Sequence, residues 1–171
     1  MGLKELLAEI GKQVNEECLS KSCRGDGCRV YLTGTPSTRI IVNLECEFKQ
    51  QQMHTKRCDY VLFYGNPSQN RLVVVLIELK SGTFKASEVT GQLQGAADFV
   101  TEVFGKLPKP ATMALQSLEI VCIPALFHGK GIDKSQRYKL ERAKIRFHRQ
   151  TVAIKKGKCG QAKNLAAVLS G

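Results

Sequence analysis

Residues 72–77, Leu-Val-Val-Val-Leu-Ile, run without a polar interruption and close on Glu78-Leu79-Lys80. Four of the six are β-branched, which favours an extended backbone. The run is far shorter than the roughly 18 to 20 residues a membrane span requires. A strand with no polar face has to be covered on both sides, so it belongs at the centre of a sheet with helices packed upon it. Asp59 to Tyr64 is a second apolar run, and Gly65-Asn66-Pro67-Ser68-Gln69-Asn70 between the two is turn chemistry. The pair is expected to form a hairpin.

The flanking sequence supplies the covering helices. Residues 2–19 carry Leu3, Leu6, Leu7, Ile10, Val14 and Cys18 at helical spacing. Residues 87–104 do the same with Val89, Leu93, Ala96, Ala97, Val100 and Phe104, with Ser87 placed to cap. Residues 20–28 read as a loop, 29–33 and 38–48 as strands, 49–56 as a polar loop and 118–125 as a buried strand. A helix near 134–143, a strand pair near 144–156 and a short helix over 161–169 complete the expectation. At 171 residues, with 43% hydrophobic and 24% charged residues, the chain suits one α/β domain, a central mixed sheet flanked by helices. No repeat or low-complexity tract breaks it.

The net charge of +11 is concentrated. Residues 1–128 hold 14 basic and 13 acidic side chains, whereas residues 129–158 hold 11 basic and two acidic. Such a segment is the electrostatic footprint expected for phosphate backbones. Lys130, Lys134, Arg137, Lys139, Arg142, Lys144, Arg146, Arg149, Lys155 and Lys156 are its candidate contacts, with Tyr138 and Phe147 interleaved for sugar and base faces. It lacks the bulky apolar anchors of a membrane-surface helix, so nucleic acid is the expected partner and a membrane is not.

The N-terminal residues Lys4, Glu5 and Glu9 interrupt what would be a signal-peptide core, so a cytoplasmic chain is expected. Seven cysteines are an odd number and are read as free thiols of a reducing compartment. Cys18, Cys23 and Cys28, evenly spaced, raise a structural zinc alternative, but no second tight pair completes the set.

Asp59 opens one core strand, and Glu78 and Lys80 close its neighbour, two apart and therefore on one face. A turn closing near Tyr64 and Arg71 sets Asp59 opposite Leu76, with Glu78 as its diagonal neighbour about 7 to 8 Å away. Two carboxylates that close repel unless a proton or cation intervenes. A hard divalent ion such as Mg²⁺ suits such oxygens, and the Leu79 carbonyl can add another. Lys80 can then hold an attacking water and steady charge building on phosphorus.

Asp59, the spacing to Glu78, and Glu78-Leu79-Lys80 resemble the PD-(D/E)XK nuclease superfamily, whose members include restriction endonucleases and Holliday junction resolvases. The resemblance spans roughly residues 5–125 as an order of elements: helix, three-strand meander, helix, strand. Its sequence-specific part is those three residues, with Cys58 where the family has proline. It implies a restriction-endonuclease-like core and Mg²⁺-dependent phosphodiester hydrolysis, Mn²⁺ substituting and no organic cofactor. Asp59 and Glu78 would be metal ligands and Lys80 would stand beside the nucleophile, a water activated at the metal. An acidic residue of the first helix, here Glu17, and a glutamine of the next, here Gln92, are further implied. The expectation is an endonuclease acting on DNA ahead of RNA, often as a homodimer. Degenerate members that bind nucleic acid or a protein without cutting are the alternative.

Overall fold

The computed structural model describes residues 1–171. It is a mixed α/β structure built on a six-stranded sheet in the order β1-β4-β5-β6-β7-β10. The central strand β6 (Arg71–Lys80) carries the apolar run and is buried along all but its two ends. It pairs antiparallel with β5 (Tyr60–Asn66) and parallel with β7 (Glu119–His128). Beyond β5 lie β4 (Arg39–Asn43) and β1 (Leu19–Ser20), both antiparallel. Beyond β7 lies β10 (Lys155–Lys158), parallel.

Strand alternation divides the core into two layers. Leu72, Val74 and Leu76 of β6, with Val61 and Phe63 of β5, pack against α1 (Leu3–Gly11) and α3 (Ala86–Gly105). The opposite residues, Val73, Val75, Ile77 and Leu79, pack against Cys28 and Val30 of a small hairpin, β2 (Cys23–Gly25) with β3 (Cys28–Val30). Leu165 and Val168 of α6 (Asn164–Ser170) close that second layer. Both faces of β6 are covered, as its composition demands.

The departures from expectation have local causes. The first helix stops at Gly11, and residues 16–18 form a single 3-10 turn. Residues 44–48, expected as strand, and 49–50, expected as loop, form α2 (Leu44–Gln50) because the Asn43 carboxamide accepts from the Cys46 N–H at 3.1 Å and caps it. A further helix, α4 (Lys109–Gln116), starts with Pro110 in its first turn, a position proline favours. The basic segment forms α5 (Lys134–Arg142) and a hairpin of β8 (Lys144–Phe147) with β9 (Gln150–Ala153), after which β10 joins the main sheet.

The hairpin register also shifts. Strand β5 continues to Asn66, which pairs with Arg71, and residues 67–69 form a 3-10 turn closed by Asn70 at φ +51°. Tyr60 therefore pairs with Ile77, two residues further along β6 than expected. A two-residue slip keeps every side chain on its face.

Four cysteines are joined, Cys18 to Cys46 and Cys28 to Cys159, so the expectation of free thiols fails for them. Cys23, Cys58 and Cys122 remain free and buried. The even spacing of Cys18, Cys23 and Cys28 is thereby not a zinc set: the outer two are in different bridges. Sequence spacing could not show this, because the partners lie 28 and 131 residues away. No helix is long and apolar enough to cross a membrane.

Candidate active site

Asp59, Glu78 and Lys80 all belong to the α3 side of the sheet. Glu78 and Lys80 continue the Leu72, Val74, Leu76 series, and Asp59 continues Val61 and Phe63. The Asp59 N–H donates to the Ile77 carbonyl at 3.0 Å, which sets its side chain beside the end of β6. The Leu79 N–H then donates to Asp59 Oδ2 at 2.8 Å and to Glu78 Oε1 at 3.2 Å. Leu79, expected to contribute its carbonyl, enters the site through its N–H.

Glu78 is 2% exposed, and its Oε2 has no hydrogen-bond partner. Burial raises its carboxyl to about 10, helped by a hydrogen bond to Asp59 and by that residue's charge. Lys80 and the Leu79 N–H pull the other way without prevailing. Near neutral pH Glu78 is therefore protonated. Beside them Cys58 is fully buried; desolvation first, then the Glu78 and Asp59 charges, push its thiol well above the ordinary range. Its Sγ donates to the Tyr60 carbonyl at 3.3 Å, and it takes no part as a nucleophile.

Lys80 lies on the same face, half-buried, with its Nζ 3.1 Å from Glu88 Oε1 in the first turn of α3. Glu88 was not among the expected residues; its place at i+8 from Lys80 only becomes informative once α3 is known to start at Ala86. Gln92, one turn on, has a buried Oε1 without a partner. Asp59, Glu88 and Gln92 line a cleft of about 370 Å³ together with Glu45, His54 and Arg57. The segment before Asp59 reaches this cleft by crossing α3 at two glycines. A Cβ on Gly95 would stand 1.8 Å from the Lys56 carbonyl oxygen, and one on Gly91 would meet the Lys56 side chain at 3.1 Å.

Glu17 does not join the site. It was projected along a helix that ends at Gly11, and it stands exposed in the 3-10 turn with no contact to either carboxylate. Glu47 is buried but structural: its Oε2 accepts from the Asn15 N–H at 3.0 Å and from the Asn15 side chain at 3.2 Å. No group of three or more His, Cys, Asp or Glu side chains is placed to hold a metal. The candidate donors are two carboxyls and the Gln92 carboxamide.

Of the basic candidates, Lys130, Lys134, Arg137, Lys139, Arg142, Lys144, Arg146 and Arg149 are exposed. Lys155 and Lys156 are half-buried and engaged within the fold. Lys155 Nζ donates to the Val168 and Gly171 carbonyls, and Lys156 pairs with Glu141 at 3.2 Å. Phe147, expected to face a ligand, is 2% exposed and belongs to the core; Tyr138 is exposed. The basic segment is fastened to α3 at two points. The Ala86 N–H donates to Gln136 Oε1 at 2.7 Å, and Gln94 exchanges two 2.8 Å hydrogen bonds with the Arg146 backbone.

No protein-family model, curated protein or solved structure matches the chain. Its chemistry rests on the residues themselves.

Proposed function

We propose that the protein is a metal-dependent nuclease that hydrolyses phosphodiester bonds, DNA ahead of RNA, with Asp59, Glu78, Lys80 and Gln92 at the reacting centre. The observation that carries the reading is the meeting of the Asp59 and Glu78 carboxyls at one N–H, with an ammonium and a carboxamide on the same face. The order α1, the β4–β5–β6 meander, α3 and β7 agrees with the restriction-endonuclease-like core that the PD-(D/E)XK resemblance implies.

The donors fit a hard divalent cation such as Mg²⁺ or Mn²⁺. All are oxygens, and Glu78 Oε2 and Gln92 Oε1 are buried acceptors with no partner. Asp59 and Glu78 would hold the ion, and Gln92 would support it. When bound it supplies positive charge that polarises a phosphoryl oxygen and acidifies water. Glu78 must release its proton to solvent to take part, and the resulting carboxylate would face the ion. Lys80, anchored by Glu88, orients the attacking water in line with the leaving oxygen and stabilises charge on phosphorus. The exposed cations of α5 and the β8–β9 hairpin hold the backbone.

Purified protein is incubated with labelled duplex, single-stranded and branched DNA, and with RNA, in Mg²⁺ or Mn²⁺. Cleavage that Glu78→Ala and Lys80→Ala abolish is expected. Variants that cut as fast as the parent overturn the assignment. Salt-sensitive binding without cleavage under any metal favours the alternative, a nuclease fold that only binds. Sizing the same preparation tests for a homodimer.

A further inference from the structure

Tyr138 is the one exposed tyrosine or phenylalanine of the protein, 59% accessible, and it lies in the middle of the basic helix α5. Packing does not account for it, because Leu140 is the residue α5 buries and Gln136 is the one that ties it to α3. Lys134, Tyr138 and Arg142 stand at i, i+4 and i+8, one stripe along the helix, with the two cations about 12 Å apart along the axis. Arg142 lies over the tyrosine ring at 5.2 Å, and its Nη1 donates to the Tyr138 hydroxyl at 2.6 Å. The ring is thus held in place and in water, a combination that carries little ordering cost on binding.

Phosphate contacts need only cations; a fixed aromatic face adds something where a base face is free. In duplex DNA the base faces are stacked on one another. We infer that the Lys134–Tyr138–Arg142 stripe is a stacking platform for an unpaired base, so that the substrate carries a single-stranded segment whose backbone the two flanking cations hold. The inference rests on the nucleic-acid reading above and names its substrate class.

Binding is measured by anisotropy in chelator, without divalent cation, using a labelled single-stranded oligonucleotide and a blunt duplex of equal length. Tyr138→Ala is expected to weaken single-strand binding roughly ten-fold or more while leaving the duplex within about two-fold. Tyr138→Phe, which keeps a ring, is expected to retain the parent's preference. Tyr138→Ala leaves the salt dependence of single-strand binding unchanged, whereas Lys134→Ala lowers the slope by nearly one. Should Tyr138→Ala fail to fold, Tyr138→Leu gives the same comparison. Unchanged single-strand binding, or an equal loss on both substrates, overturns the platform. A parent that binds through Tyr138 yet cuts nothing keeps the platform and overturns the nuclease reading. A parent that binds neither substrate overturns both.

Discussion

Asp59 and Glu78 accept from the same backbone N–H, that of Leu79, at 2.8 and 3.2 Å. The shared N–H favours the ionised carboxylate, whereas burial opposes it at Glu78. Burial first, and then the neighbouring Asp59 carboxyl, raise the Glu78 carboxyl to about 10 against the pull of that shared N–H.

The first expectation concerns pH. The folded Glu78 keeps its proton from the ordinary value of 4.5 up to about 10, whereas the unfolded chain releases it near 4.5. Over that window the folded state binds more protons, so this residue makes stability fall as pH rises. Glu78→Gln removes the ionisation, and its thermal midpoint is expected to decline less than the parent's between pH 6 and pH 9. Parallel midpoint curves for parent and variant would show that Glu78 is ionised in the fold.

Divalent cation is expected to act in the opposite sense. An ion held at Asp59 and Glu78 would displace the Glu78 proton, so Mg²⁺ binding is expected to release protons and to grow tighter as pH rises. The midpoint gain from Mg²⁺ is therefore larger at pH 9 than at pH 6, and is lost in Asp59→Asn. Calorimetry in buffers of different ionisation enthalpy reads the proton release directly.

Lys80 and Glu88 should separate by magnitude. Lys80→Ala is expected to lower cleavage roughly 10²-fold or more, the scale of losing one charge-stabilising donor. Glu88→Gln leaves the ammonium in place without its 3.1 Å anchor and is expected to lose less. Both variants should fold as the parent does, because the pair is partly exposed and such pairs contribute little stability. Equal losses would move Glu88 into direct contact with substrate.

Two glycines of α3 give opposite signs. Gly95→Ala drives a Cβ into the Lys56 carbonyl and must displace the segment that delivers Asp59. A loss of about 1 to 3 kcal/mol, with cleavage abolished, is expected. Gly105→Ala, with nothing within 4 Å of its Cβ, should stabilise by about 0.5 to 1 kcal/mol and leave cleavage unchanged. Chemical denaturation and the cleavage assay measure both.

The two disulfides differ in span. Cys28–Cys159 closes 131 residues and Cys18–Cys46 closes 28, so paired serine substitutions should cost about 5 and about 3.5 kcal/mol by chain entropy. Thermal midpoints of the two double variants, compared with the parent under reductant, check the order.

Much of the core could be read directly because it is written in local terms. The unbroken run from Leu72 fixed a central strand, and the stripe from Val89 to Phe104 fixed α3 within a residue or two. The Glu78 and Lys80 face followed from spacing alone. What escaped depended on partners distant in sequence or on one capping group. Residues 38–48 read as one strand, but the Asn43 cap ends it and starts a helix at Leu44. Glu17 failed because a helix was extended past Gly11, and Glu88 was missed because nothing local marks a residue that pairs eight positions back. The cysteine bridges join segments that only the assembled sheet brings together.

Helix α3 serves three neighbours at once. One side carries Glu88 and Gln92 toward the cleft, Gly91 and Gly95 receive the chain leading to Asp59, and Gln94 and the Ala86 amide are occupied by the cationic region. Cutting the C-terminal third away would strand those polar groups and bare the flank of the helix that carries Glu88 and Gln92. For the proposed nuclease this makes grip and chemistry parts of one folding unit, and neither is expected to survive transplantation without the other.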